Sequence, residues 1–311
     1  MKALSYKDIY LVPRYSELTT RKNADTSIRF GSKTFKLPVM PSNMKAVIDV
    51  KWAKWLSEND YMYVMHRFDN ITYSFVQQAN TENWKTISIS VGVNKESEDV
   101  LRECANDKLR IDYITIDVAH GHHVLVKRML SVIRKYYPYV FIIAGNTATP
   151  EATLDIEMWG ADATKCCIGS GMACSTKLKT GFHVPSFTCV LNCVSVAKKP
   201  VIADGGITTY GDIAKALVAG ATMVMCGGMF ASCSDSPAPF DVGVGKKVYY
   251  GNASSRAKGN NVHVEGFDVA LVSDITLAQK LAEMQEALQS SISYAGGYNL
   301  KSFLKTDYVI L

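Results

Sequence analysis

Short apolar, largely β-branched runs recur along the chain at 37–44, 61–66, 86–93, 113–120, 141–148, 163–171, 200–206 and 221–228. Their starts lie 21 to 28 residues apart, except for a gap of 37 between the sixth and seventh. Most gaps carry apolar residues at helical spacing, as at 47–58, 124–135 and 209–219. Near-continuous apolar strands alternating with amphipathic helices predict a parallel sheet covered on both faces. Eight such units predict a closed (β/α)8 barrel. A doubly wound sheet is the alternative reading of the same spacing.

Run after run ends in polar residues or glycine: Ser42-Asn43, His66-Arg67, Asp117, Gly145-Asn146, Gly169-Ser170-Gly171, Asp204-Gly205-Gly206 and Gly227-Gly228. In a barrel these ends converge on one face, where barrel enzymes carry their chemistry. Two excursions interrupt the rhythm, 171–199 and 229–274, in neither of which a βα repeat is legible. Long connections of this kind are usually functional loops, so the first reads as an extended cysteine loop and the second as a flap. A closing amphipathic helix is predicted over 275–291, and the whole of 1–311 reads as one barrel domain with no inserted regulatory domain.

Composition narrows the classes of function more than it selects one. The chain has 311 residues, 48% of them hydrophobic, and a formal charge of +5 with basic and acidic residues interspersed. That distribution calls for no nucleic-acid partner. No apolar run approaches a membrane span of about 18 residues, and charge precedes any signal-like segment. The expectation is a cytoplasmic protein whose eight cysteines are reduced thiols.

Candidate chemistry sits at the run ends. Cys174 lies in Gly169-Ser170-Gly171-Met172-Ala173-Cys174, beyond a strand end, where a glycine-rich turn presents outward N–H groups that favour a thiolate nucleophile. Cys166, Cys167, Cys189, Cys193 and Cys226 fall within strand or helix patterns and read as small core residues. Asp204-Gly205-Gly206 and Gly227-Gly228 end consecutive strands, a place where barrels bind phosphate through backbone N–H groups, with the aspartate suited to a ribose diol. Together they suggest a nucleoside monophosphate. Asp117 precedes His120, His122 and His123, whose spacing lacks distant partners for zinc, so they read as loop residues flanking a ligand.

These motifs in order resemble one family, the IMP dehydrogenase and GMP reductase barrels, and within it the reductases. The resemblance runs through LPVMPSNM at 37–44, MHRF at 65–68, SISVGV at 88–93, IDVAHGH at 116–122, AGN at 144–146, GADATK at 160–165, IADGGI at 202–207 and LQSSISYAGG at 288–297. It implies that Cys174 attacks C2 of GMP, that ammonia leaves a covalent thioimidate, and that NADPH delivers hydride to release IMP. Thr176 and Glu265 then match a pair that relays a proton to the departing amine. Asp204, Gly205, Gly206, Gly227 and Gly228 match the ribose and phosphate contacts, and Gly251 and Gly266 lie near the base. Asp117, Ala119 and Asn146 match the nicotinamide side. Thr20, Arg21 and Arg67 match further cofactor contacts, while Ser290, Ser291 and Ser293 match a contribution across the subunit boundary of a homotetramer. Carbonyls of Gly169, Gly171 and Cys174 match a potassium site.

The chain also departs from the pattern. Ser170 stands where the nucleophile loop usually has proline, Phe182-His183-Val184-Pro185 follows Thr180-Gly181, and Asn252-Ala253 replace a serine available to the base. Two alternatives remain within reach of these motifs: an IMP dehydrogenase lacking its regulatory domain, and a nucleotide-binding barrel without catalysis. Against the first, the segment before Glu265 holds no Arg-Tyr pair of the kind that hydrolyses the dehydrogenase's thioimidate.

Overall fold

The computed structural model describes residues 3–311. The chain enters through β1 (Ile9–Leu11) and a hairpin of β2 (Ile28–Phe30) and β3 (Lys33–Phe35). Strands and helices then alternate: β4 (Val39–Pro41), α1 (Val50–Glu58), α2 (Thr72–Thr81), β5 (Ser88–Val91), α3 (Lys95–Asn106), β6 (Tyr113–Asp117), α4 (Val124–Tyr136), β7 (Phe141–Thr147), α5 (Pro150–Met158) and β8 (Ala163–Cys166). After α6 (Thr176–Thr180) and α7 (Ser186–Val194) come β9 (Val201–Asp204), α8 (Tyr210–Val218), β10 (Met223–Cys226) and α9 (Gly228–Ala231). The last part holds β11 (Phe240–Asp241), β12 (Lys246–Tyr250), α10 (Ser255–Lys258), β13 (Asp268–Leu271), α11 (Leu277–Tyr294) and β14 (Tyr308–Ile310).

Seven parallel strands make one curled sheet in the order β4-β10-β9-β8-β7-β6-β5, the order expected of consecutive βα units with the first strand beside the last. The eighth expected ladder does not form. Within 61–66 only Met65 pairs, receiving Ser90 N–H and donating to Ser88 O, both against β5. The run still packs, since Met62 and Val64 join the interior cluster with Met40, Ile143, Ile202 and Met225. The strands are shorter than the runs because the polar and glycine tails leave the ladder to form the loops of the site.

Most of the longer helices start where a side chain can satisfy a free N–H group. Asp49 accepts from Trp52, Asn94 from Ser97, and Thr149 from Ala152 with Pro150 following. Thr209 with Asp212, and Thr276 with Gln279, form capping boxes. Apolar spacing then turns one face to the sheet; Val126, Met129, Leu130 and Ile133 of α4 are all buried, each contributing about 1.5–3 kcal/mol.

Both excursions need correction. The segment 171–199 contains α7, the helix between β8 and β9, which completes a βα repeat that the sequence did not make legible. Its apolar face is built from Phe187, Cys189, Val190 and Cys193, and cysteines blurred the helical pattern. The segment 229–274 carries an antiparallel sheet of β11, β12 and β13. At the amino-terminal end of the curled sheet, Phe30 of the hairpin packs on Tyr113 and Phe141, and its carbonyl accepts from Tyr113 Oη at 2.6 Å. The opposite, carboxyl-terminal end is left to the loops.

Gly220, between α8 and β10, has φ +98°, and a Cβ there would meet Val194 Cγ1 at 2.5 Å. Gly220→Ala should lower the free energy of unfolding by about 1–3 kcal/mol in urea titration. Gly160→Ala, at φ +110° but with open space around the new methyl, should lose less, because only backbone strain acts there.

Candidate active site

Cys174 stands on the loop between β8 and α6, half-buried, with its sulfur turned toward Thr176. The thiol donates to Thr176 Oγ1 at 3.2 Å, and that hydroxyl donates to Glu265 Oε2 at 2.6 Å. Residues 90 positions apart in sequence are joined by backbone zipping. Ser175 N–H donates to Glu265 O at 2.8 Å, Phe267 N–H donates to Ala173 O at 3.1 Å, and Cys174 forms a bridge with Gly266. The approach is tight: a Cβ on Gly251 would lie 2.7 Å from Ala173 O, and one on Gly266 would lie 3.0 Å from Ser254 N. The arrangement can pass a proton from sulfur through a hydroxyl to a carboxylate, or back.

Below this arm, the strand ends meet on one buried ammonium. Lys165, 1% exposed, donates to Asp117 Oδ1 at 2.8 Å, Asp204 Oδ2 at 2.5 Å and Asn146 Oδ1 at 2.5 Å. Asn146 Nδ2 donates onward to Asp204 Oδ2 and to Cys167 O, and Asn43 Nδ2 donates to Asp117 Oδ2 at 2.9 Å. Burial would lower the Lys165 pKa, but the two carboxylates outweigh it and raise it above the usual lysine value. Burial would raise Asp117, and Lys165 outweighs that and holds the carboxyl below its usual range. Lys165 and Asp117 therefore both carry their charges at neutral pH. It ties β6, β7, β8 and β9 together at the site.

The glycine pairs border the same mouth. Gly205 and Gly206 take φ +84° and +80°, and a Cβ on Gly205 would lie 3.1 Å from Gly171 N, so the aspartate turn and the cysteine loop touch. Gly227 immediately precedes α9, and a Cβ there would sit 2.2 Å from Tyr249 Oη, with Gly228 opening the helix. Two short glycine segments with close neighbours thus border the mouth beside the cysteine loop.

Other expected residues distribute differently. Arg67 lies close enough to Asp117 to act on its charge, and its Nε is buried without a hydrogen-bond partner among the described residues. Ala119 is exposed on a loop whose ends are laced to β7 by Val118 and Gly121 N–H groups. Arg21 reaches Ser290 Oγ at 3.3 Å and Tyr294 Oη at 3.0 Å, beside Thr20 and at the end of α11 that also carries Ser291 and Ser293. None of these hydrogen bonds extends to the Lys165 cluster. The histidines prove structural in part: His122 pairs with Asp155 at 2.8 Å and stacks on Trp159, and His123 caps α4. The carbonyl of Gly171 accepts from Cys174 N–H, whereas those of Gly169 and Cys174 accept no backbone hydrogen bond among the described residues, so donors for a cation are present.

Two site residues escaped the sequence reading. Lys165 was visible as a lone charge in an otherwise apolar strand, a signal in itself because buried charges require partners. Tyr249, buried against Gly227, has no such mark, being one of two tyrosines ending β12.

Lys165→Met should leave Asp117 and Asp204 facing each other and lower stability by about 3–5 kcal/mol, read by chemical denaturation at pH 7. Burial pushes His66 down to about 4. As pH falls below the free histidine value of about 6.5, the unfolded chain takes up a proton that the native state refuses. Stability should therefore decline between there and about pH 4. His66→Gln should flatten that slope, measured as urea midpoints at pH 7 and pH 5.

Comparison with known proteins agrees with this geometry. The model of the IMP dehydrogenase / GMP reductase domain matches residues 3–310. The protein named GMP reductase in Staphylococcus carnosus is 47% identical, over 100% of this chain and 97% of its own length. The one so named in Leptothrix cholodnii is 46% identical over the same shares. Matched over nearly its whole length by that model and by relatives of this identity, the chain belongs to the IMP dehydrogenase / GMP reductase family.

Proposed function

We propose that this protein is a GMP reductase, converting GMP to IMP and ammonia with NADPH as reductant. The reading rests most on one observation, the continuous hydrogen-bond chain Cys174–Thr176–Glu265. A thiol whose proton can travel through a hydroxyl to a carboxylate becomes a nucleophile at one end and leaves an acid at the other. Names carried by full-length relatives at 46–47% identity support the same assignment.

In this mechanism Asp204 holds the ribose hydroxyls, and the backbone at Gly205, Gly206, Gly227 and Gly228 receives the phosphate, with the Tyr249 hydroxyl beside it. Gly251 and Gly266 keep the flap close over the base. Cys174 sulfur forms a bond to C2 of the purine, and Glu265, through Thr176, returns the proton to the exocyclic nitrogen as the C2–N bond breaks and ammonia departs. The bound NADPH supplies hydride equivalent chemistry at C2. Asp117, Asn146 and Arg67 orient the nicotinamide end, and Ala119 leaves room beside it. Collapse of the adduct breaks the C–S bond and frees the thiolate with IMP.

We read the curled sheet with its packed second run as a (β/α)8 barrel forming one domain of a cytoplasmic protein. Thr20, Arg21, Ser290, Ser291 and Ser293 serve the far end of the cofactor from a neighbouring subunit, in a homotetramer. The carbonyls at Gly169, Gly171 and Cys174 hold a potassium ion that steadies the loop. The dehydrogenase alternative is disfavoured by the flap, which offers Glu265 but no Arg-Tyr pair to activate water.

Pure protein given GMP and NADPH should consume NADPH, while IMP with NAD should give no NADH; the reverse result assigns a dehydrogenase. Cys174→Ala should bind GMP but lose turnover. Glu265→Gln should lower kcat by about 10²–10⁴, the range for a lost general acid, with a smaller change in KM. Thr176→Val should act similarly, because it breaks the same relay.

A further inference from the structure

Four thiols that the proposed reaction does not use converge behind the nucleophile loop. Cys166 ends β8, Cys167 follows it, and Cys189 and Cys193 lie on successive turns of α7. The sulfurs of Cys166, Cys167 and Cys189 all lie within 4.8 Å of one another, with Cys166 and Cys167 at 3.9 Å, and all three residues are buried. Cys193 approaches both Cys166 and Cys189. Zinc–thiolate bonds of about 2.3 Å would set sulfurs about 3.8–4.0 Å apart in trigonal or tetrahedral array. The Cys166–Cys167 pair already has that spacing, and no pair among the three exceeds it by more than about 1 Å.

Three observations separate this cluster from ordinary core packing. Cys167 adopts φ +86°, a left-handed backbone that glycine would accept freely and a cysteine adopts only under strain. Strain of this kind is kept where a side chain has work to do. The hydrogen bonds that the thiols make to carbonyls are long: Cys167 to Ser186 O at 3.9 Å, Cys189 to Ala148 O at 3.7 Å and Cys193 to Thr149 O at 3.9 Å. Lastly, the Tyr6 hydroxyl is buried without a hydrogen-bond partner among the described residues and stands within electrostatic range of Cys166, Cys167 and Cys189.

We propose that Cys166, Cys167 and Cys189 form a closed, all-sulfur site for one thiophilic d10 cation, Zn2+ or Cu+, with Cys193 as the fourth donor for an ion that takes four. All-thiolate sets select these soft cations over hard ones. Binding breaks three S–H bonds, or four with Cys193, forms as many sulfur–metal bonds and releases one proton for each, with no change of oxidation state. The ion would anchor the root of the catalytic loop. Cys167 O accepts from Asn146 Nδ2 at 2.7 Å and its N–H donates to Thr147 O at 2.8 Å, so a fixed Cys167 fixes the cofactor-side asparagine as well. The site stands apart from Cys174, and its existence does not depend on which reaction the mouth performs.

The test uses the full chain carrying Cys174→Ala, so that the accessible thiol cannot bind metal, produced in medium supplemented with Zn2+ or, anaerobically, with Cu+. After gel filtration in EDTA, elemental analysis should find one ion per chain in at least one of the two arms, and which arm retains it identifies the cation. Replacement by Cd2+ should give a sulfur-to-metal charge-transfer band in the ultraviolet. Cys167→Gly relieves the backbone strain and so keeps the fold, checked by circular dichroism and an unlowered Tm without metal; it should retain less than a tenth of an ion. Cys189→Ala should do the same. Less than a tenth of an ion per chain in both arms of the starting protein, or full retention in the Cys167→Gly protein, overturns the proposal.

Discussion

One ammonium group organises the mouth of this protein. Lys165 is the last but one residue of β8, and its charge is shared by Asp117 at the end of β6, Asn146 near the end of β7 and Asp204 at the end of β9. A charge taken out of water needs such company, since an isolated one costs more than a domain's net stability can absorb. The consequence is positional. Four consecutive strand ends cannot shift relative to one another without breaking an ion pair or a hydrogen bond to the ammonium, so the carboxylates of Asp204 and Asp117 keep one spacing.

The second constraint is the backbone seam between the cysteine loop and the flap. Ala173, Cys174 and Ser175 pair with Glu265, Gly266 and Phe267, which brings a carboxylate from the far end of the flap to the hydroxyl beside the thiol. Gly251 and Gly266 make this approach possible because a side chain on either would strike the opposing main chain. Lys165 sets the floor of the site and this seam its wall; the loop from Cys167 to Cys174 runs from one to the other.

The pattern of apolar runs was a good guide to the curled sheet because strands buried on both faces leave an unbroken hydrophobic signature. Seven of its strands lie in runs the pattern marks out. The second run kept the composition of a strand but found a ladder partner at Met65 only, and the helix α7 was hidden because two of its inward positions are cysteines, which carry no strong periodic signal. The antiparallel strands of the flap were illegible for another reason: β11 and β13 present alternating or exposed positions without a core face to stamp a pattern on them.

Thr176 and Glu265 were marked only by the resemblance to the family, whereas the amino-acid sequence by itself determined the seven strands of the curled sheet, the polar turns at their ends and Cys174 and Asp204 as chemically apt residues. These are local properties, written in periodicity, in capping residues and in glycine turns. Only the tertiary structure decided that Thr176 joins Cys174 to Glu265, that Lys165 holds Asp117 and Asp204 together, and that Arg21 meets Ser290 instead of the central cluster. Such pairings depend on chain segments up to 269 residues apart arriving at one point. No short window of sequence encodes them, because they follow from curling the sheet and packing its loops.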